Sequence, residues 1–276
     1  MSNELDVIKY YEQAGSRLGY RLFLRGTKHF GYYRHGESAW AWPTALRRME
    51  DKLADALGQP PGARVLDAGC GVGDVAGHLA RHFGLRVCGV DVLDRDIAVA
   101  RRRARRRGLS DLLTFRPGNY TDLPFPAGSF DAVYTMETLV HAAAAETVLR
   151  EFHRVLRPGG RLVMFEYARE PAAHMPPPAA ETFRQLNEWA AMPSFQRFDY
   201  GTLRRLVADT GFSAVTVDDI SHHMWPMLRC FAAIGRVPYA AGRSMGRSAR
   251  MVNSMAAVEF WRYRAFWRYE IYGAVK

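Results

Sequence analysis

The feature that most constrains the fold is a nine-residue run, Val65-Leu66-Asp67-Ala68-Gly69-Cys70-Gly71-Val72-Gly73. A short apolar strand runs into glycines at alternate positions, and an amphipathic stretch from Asp74 follows at once. Glycine permits a tight turn there and lets the backbone approach a ligand without a Cβ in the way. A second apolar run ends in Asp91-Val92, about 20 residues on, where a carboxylate can accept from ribose hydroxyls. From residue 64 short apolar runs alternate with amphipathic ones: 64–69, 74–83, 86–92, 94–108, 112–119, 130–136, 145–160 and 161–168. Such alternation specifies βαβ units and a parallel sheet. The Pro158-Gly159-Gly160 turn ends one helix and begins the next strand.

Outside this stretch the pattern divides the chain further. Residues 1–57 read as an N-terminal helical cap, with a break near Gly26 to Gly36, and residues 58–169 as the cofactor-binding core. Residues 170–200, with Pro171 and Pro176–Pro178, read as an inserted helical lid. Residues 201–276 complete the core, with Met- and aromatic-rich helices over 222–260 and a last strand expected at the sheet edge. The expected fold is α/β: a Rossmann-like, seven-stranded, mostly parallel sheet with helices on both faces.

Charge and cysteine content narrow the function classes. The formal charge is +10, but lysine occurs only at Lys9, Lys28, Lys52 and Lys276, so the excess is arginine. The densest run, Arg101 to Arg107, falls on a helix and has no aromatic residues interleaved with it, unlike a single-strand-binding surface. No nucleic-acid partner is expected. No long uncharged apolar run is present, so no membrane span is expected, and the first residues lack the apolar core of a secretory signal. Cys70, Cys88 and Cys230 are too few and scattered for a disulfide framework, which suits a reducing, cytoplasmic setting. No metal is expected, and a homo-oligomer is compatible with the sequence.

The spacing Asp67-x-Gly69-x-Gly71-x-Gly73 resembles class I S-adenosylmethionine-dependent methyltransferases more closely than dehydrogenases. An acidic residue beside the turn suits a ligand with an ammonium end and no phosphate. Gly118-Asn119-Tyr120 with Leu123-Pro124-Phe125, Phe130–Val133 and Arg157–Gly160 resemble further family segments, over about residues 60–168. The resemblance implies S-adenosylmethionine as cofactor, held by Asp67, Gly69, Cys70, Gly71, Gly73, Asp91, Val92, Asn119 and Tyr120. Asn119 stands where the family usually has aspartate, so an amide would meet the adenine.

Two segments resemble sterol C-methyltransferases. Leu22 to Tyr33 resembles their N-terminal cap and implies that Tyr32 contacts the cofactor and Tyr33 borders the methyl group. Tyr134 to Ala142 resembles a signature at the end of the fourth strand, implying roles for Glu137, as cofactor ligand or base, and for His141, as base. An aromatic and Met supply (Tyr200, Phe195, Phe198, His222, His223, Met224, Trp225 and Met227) suits a greasy pocket, in which Phe30, Tyr200, His222, Met224 and Trp225 are the expected substrate contacts. The expected reaction is C-methylation of an alkene in a prenylated or terpenoid intermediate, through a carbocation, with coupled rearrangement or cyclisation compatible. The alternative is O- or N-methylation of a small aromatic or polar compound. A hydrophobic small molecule is the expected partner.

Overall fold

The computed structural model describes residues 27–245 and 251–276, together with Val7, Ile8 and Tyr10. Most of the cap segment expected before Thr27 lies outside the described residues.

The strands are β1 (Arg64–Ala68), β2 (Arg86–Asp91), β3 (Leu113–Pro117), β4 (Phe130–Met136), β5 (Leu156–Arg169), β6 (Ser213–Asp219) and β7 (Trp267–Val275). They form one sheet in the order β3-β2-β1-β4-β5-β7-β6. The five strands from β3 to β5 pair in parallel, whereas β7 is antiparallel to both β5 and β6. The helices are α1 (Trp42–Leu57), α2 (Asp74–Phe83), α3 (Asp94–Arg106), α4 (Ala145–Val155), α5 (Pro177–Trp189), α6 (Thr202–Asp209), α7 (Ser221–Ser244) and α8 (Val252–Arg262). Each of β1 and β2 leads straight into a helix, as the alternating pattern requires, and the centre of the sheet is solid with apolar side chains. Val65, Leu66, Ala132, Val133, Leu162 and Val163 are all fully buried.

The chain runs outward from β1 to β2 and β3, then returns to the other side of β1 for β4. That reversal opens a crevice at the carboxyl ends of β1 and β4, where ligands of open α/β sheets bind.

The last strand departs from expectation. β7 is not at the edge but between β5 and β6, and β6 is the edge. Burial explains the order. β7 carries Trp267, Tyr269, Ile271 and Tyr272 on two covered faces, while β6 is polar and mostly exposed.

The arginine run has local work to do. Arg101 donates to the Phe115 carbonyl, and Arg103 and Arg107 pair with Asp74 at the start of α2. Among the described residues, no helix is long and apolar enough to cross a membrane.

Candidate functional site

The turn after β1 is built by backbone hydrogen bonds from both sides. The amides of Gly69 and Cys70 both donate to the Val90 carbonyl, at 2.8 and 3.0 Å. The Gly71 amide donates to Asp91 Oδ2 at 2.8 Å, and the Leu93 amide to Asp91 Oδ1 at 2.9 Å. Gly69 has φ +94°, and a Cβ there would lie 2.6 Å from the Thr138 side chain. No other residue type fits without strain. Thr138 in turn donates its hydroxyl to the Ala68 carbonyl at 2.9 Å, tying the β4 loop to the turn.

A cleft of about 250 Å³ opens over this turn. Asp67, Gly69, Cys70, Gly71, Asp91, Val92, Asn119, Tyr120, Glu137 and His141, all expected at the site, line it. Gly73 does not. With φ +73° it starts α2, and a Cβ would meet Phe115 at 2.7 Å and Ala100 at 3.0 Å, so its task is helix-to-strand packing.

Asp67 carries the clearest ligand signal. Its carboxylate is 3% exposed, and Oδ2 has no hydrogen-bond partner. Burial pushes its pKa up to about 7, the nearby Tyr134 hydroxyl opposing the rise and the Asp91 charge adding to it. A buried carboxylate that lines a cleft is costly unless donors meet it, and the Tyr134 hydroxyl supplies only part of that compensation. The donor set therefore fits a ligand with an ammonium end, a ribose for Asp91, and a ring flanked by Asn119 and Tyr120. Asn119 Oδ1 accepts from both the amide and the hydroxyl of Thr121 at 2.9 Å, which orients the amide. The Tyr120 hydroxyl donates to the Thr138 carbonyl at 3.0 Å.

Glu137 follows β4 with φ +58°, a conformation unusual for a side-chain-bearing residue. The Phe30 amide and the Tyr269 hydroxyl donate to its Oε1, each at 2.8 Å, and the Tyr167 hydroxyl donates to its Oε2. Burial raises its pKa, and these donors with His29 pull against the rise. Behind it, Glu166 accepts from the amides of Thr138 and Leu139 and fixes the loop. Burial drives the Glu166 carboxyl up to about 8.

His141 closes a single 3-10 turn over Leu139–His141 that starts only after Glu137, so no helix carries the two residues on one face. Its Nδ1 donates to the Ala191 carbonyl at 2.8 Å, and burial lowers its pKa to about 4. The ring is neutral at physiological pH. Ser194 secures the same turn from the 170–200 segment, its amide donating to Val140 and its hydroxyl to Ala142.

A second cavity of about 490 Å³ adjoins the first, and Lys28, His29 and Glu137 line both. Its other walls are Phe30, Tyr167, Met192 and Phe260, with a stripe along α7. The stripe is Met227, Leu228, Phe231, Ile234, Gly235 and Pro238, at helical spacing. Phe30 is the one expected substrate contact that lines it. Tyr200, His222, Met224 and Trp225 line neither cavity. His222 is exposed, Met224 is fully buried in the core, and Tyr200 lies against the Arg268 guanidinium. The cavity takes the middle of α7 rather than its first turn.

Tyr32 and Tyr33 also line neither cavity. Residues 27–33 form an extended strap threaded between α1 and α7, and after Phe30 it turns its side chains away. The Gly31 amide donates to Met227 Sδ, the Tyr32 amide to Ala45, and the Tyr33 amide to His223. The Tyr32 hydroxyl donates to His223 Nε2 and the Tyr33 hydroxyl to the Ala39 carbonyl, so both are anchors of the strap. The residues that reach the cleft are Thr27, Lys28 and His29, one turn of sequence earlier. Lys28 is tied to Asp96 on α3 at 2.9 Å.

Comparison with known proteins bears on the family and the fold. A family model described as a methyltransferase domain matches residues 66–164. The chain is 38% identical over 268 residues to the S-adenosyl-L-methionine-dependent Diels-Alderase iccD of Talaromyces variabilis, covering 95% of this chain and 91% of that one. It is 41% identical over 139 residues to sterol 24-C-methyltransferase ERG6B of Gibberella zeae, a match that takes 50% of this chain and 36% of that enzyme. Among solved structures it is similar to the 4+2 cyclase SpnF, with a TM-score of 0.73 and 25% identity, covering 98% of this chain and 93% of that one.

Proposed function

This chain belongs to the class I S-adenosylmethionine-dependent methyltransferases, and from that premise we propose that it methylates an alkene carbon of a prenylated or terpenoid small molecule. The observation that carries the reading is the position of Glu137, a hydrogen-bonded carboxylate in the wall common to the cofactor cleft and a larger apolar cavity. An alkene offers no proton before attack. What it needs is dry room, a fixed approach to the methyl group, and a base afterwards.

Bound S-adenosylmethionine supplies a methyl group already activated by the sulfonium. Asp67 takes the ammonium end, Asp91 the ribose, and Asn119 and Tyr120 flank the adenine. Met227, Leu228, Phe231 and Ile234 exclude water around the acceptor. Methyl transfer would form a C–C bond at one alkene carbon from the alkene π pair, break the sulfonium S–CH3 bond with its electrons left on sulfur, and leave a positive charge on the neighbouring carbon. Aromatic faces attract that charge. Phe30 stands edge-on to Tyr167 and Tyr269, with ring centroids 6.4 and 6.0 Å away, and Tyr167 stacks on Phe260. Glu137 then takes a proton from a carbon next to the cation, and the C–H electrons form the new double bond. Its raised pKa strengthens it as a base. His141, neutral and fixed through Nδ1, is a further group lining the cleft that would accept a proton.

A second reading has its own support: the relative that matches nearly the whole chain is named a Diels-Alderase. Under it, the donor is held without being consumed while the apolar cavity folds a polyene for ring closure. Incubation with methyl-13C-labelled donor and a set of prenylated acceptors separates the two. Carbon-13 NMR of the product should show a new C–CH3. Label on oxygen or nitrogen would sink carbon methylation, and an unlabelled cyclised product with intact donor would favour the second reading.

A further inference from the structure

The shared wall contains two titratable groups that the proposed chemistry does not use: Lys28, paired with Asp96, and the imidazole of His29. His29 is 4% exposed and lines both cavities. Its Nδ1 donates to the Phe30 carbonyl at 2.8 Å, and its Nε2 lies 3.5 Å from Glu50 Oε1. Glu50 is fully buried on α1 and turns its other oxygen toward Arg47 and toward His78 Nδ1, the latter at 3.2 Å. His78, buried on α2, reaches Asp51 through Nε2 at 2.7 Å. The Asp51 side chain is 50% exposed. Four side chains thus run in line from the seam between the cavities to water.

The donor count on His29 decides its state. A nitrogen facing a carbonyl must carry a proton, and one facing a carboxylate is favourable only if it does too. Two protonated nitrogens make an imidazolium. Burial works against that charge, yet Glu50, the Phe30 carbonyl and Glu137 together hold the pKa above the usual histidine value. His29 Nε2 and Glu50 Oε1 are both buried without a hydrogen-bond partner, so the ion-pair contact between them is what balances each, while His78 Nδ1 faces the Glu50 oxygen that Arg47 also meets.

We propose that the Glu50–His78–Asp51 line holds His29 as an imidazolium, and that this charge keeps Glu137 ionised and the strap seated over it. His29 is then a positioning residue. Its neighbour Phe30 donates the amide that Glu137 Oε1 accepts, so the anchor and the base are one residue apart. The charged and titratable groups bearing on it are Glu50, Arg47 and Asp51 from α1, His78 with His82 beside it from α2, Glu137 after β4, and Lys28 preceding it on the strap. The consequence for turnover rests on the proposed role of Glu137, but the charge itself does not.

Long-range 1H–15N NMR of the histidine rings reads that charge directly, without any acceptor. His29 is assigned from the signals missing in His29→Gln. Both its ring nitrogens should be protonated at pH 7 in the wild type, and one in Glu50→Gln; a neutral ring in the wild type overturns the proposal whatever the enzyme methylates. In turnover, Glu50→Gln should lower kcat about tenfold. The cofactor Kd should stay within about twofold, and the acid limb of the kcat profile should move up by roughly half to one pH unit. A purely structural part would lower the melting temperature and leave that limb in place, which also overturns the proposal. If Glu50→Gln does not fold, His78→Gln, nearer the surface, should move the limb in the same direction by less; no movement counts against the line.

Discussion

The two adjoining cavities share a wall and little else. The smaller is built around backbone: a glycine turn, the ends of β1, β2 and β4, and the Asp91 carboxylate pinned by two amides, with side chains such as Lys28, Tyr120 and His141 completing it. The larger is made of side chains from α7, α8, the strap and the segment before Ser194. A site formed by backbone suits a ligand that never changes, since any substitution disturbs the main chain itself. A site formed by side chains can be reshaped one residue at a time without moving the sheet. On the proposed reading the cofactor half should tolerate little change, and acceptor choice should belong to the other half.

Substitutions test that division, and the largest effect should come from the turn. Gly69→Ala puts a Cβ against Thr138 at φ +94°. Titration calorimetry should show cofactor affinity reduced by roughly 100-fold or more, because the turn cannot keep its shape. Retained affinity would mean the turn is more pliable than the comparison requires.

At the shared wall, Glu137→Gln keeps size and hydrogen-bond reach but removes the base. Single-turnover kinetics should show chemistry slowed by about 100-fold. The cofactor Kd should change by less than about threefold.

Acidity should separate the halves next. The Asp67 carboxyl, with its pKa pushed up to about 7, is increasingly protonated as pH falls below that value. Only the ionised form attracts an ammonium group, so cofactor Kd should rise as pH drops from 8 to 6, by up to about tenfold per unit once below 7. Asp67→Asn should bind weakly with a flat profile. Acceptor binding to the cofactor-saturated enzyme should lack this Asp67-linked step.

In the larger cavity the effect should be graded. Phe231→Ala removes one apolar wall and should raise acceptor KM by roughly tenfold. Cofactor affinity should hold, and a smaller acceptor should suffer less. The smallest effect belongs to Tyr32→Phe, which deletes a hydroxyl that holds the strap to His223 outside both cavities. Thermal denaturation should report a loss of about 1 kcal/mol. Steady-state constants should be unchanged; a changed cofactor Kd would restore Tyr32 to the site.

How legible each half was in the sequence follows the same division. The turn at Asp67–Gly73, Asp91 and the Asn119 segment are contiguous motifs, and their residues face the cleft because strand ends and tight turns aim them there. The exception, Gly73, has the right spacing but serves α2 packing, a contact with Phe115 that no local pattern encodes. Tyr32 and Tyr33 resembled a cofactor cap, yet three hydrogen bonds to α1 and α7 turn the strap away from the cleft after Phe30. The α7 stripe was visible as helical periodicity, but its first turn drew the expectation to His222, Met224 and Trp225. Which arc of a helix meets a cavity depends on how the helix packs.

The sequence by itself determined the sheet, the glycine turn and the carboxylates around it, because these follow from short-range periodicity and backbone conformation. The interior place of β7, the second cavity, the meeting of Tyr167 and Tyr269 on Glu137, and the line from His29 to Asp51 were decided only by the tertiary structure. Each joins residues far apart in the chain, and their contacts depend on packing angles that no local pattern carries.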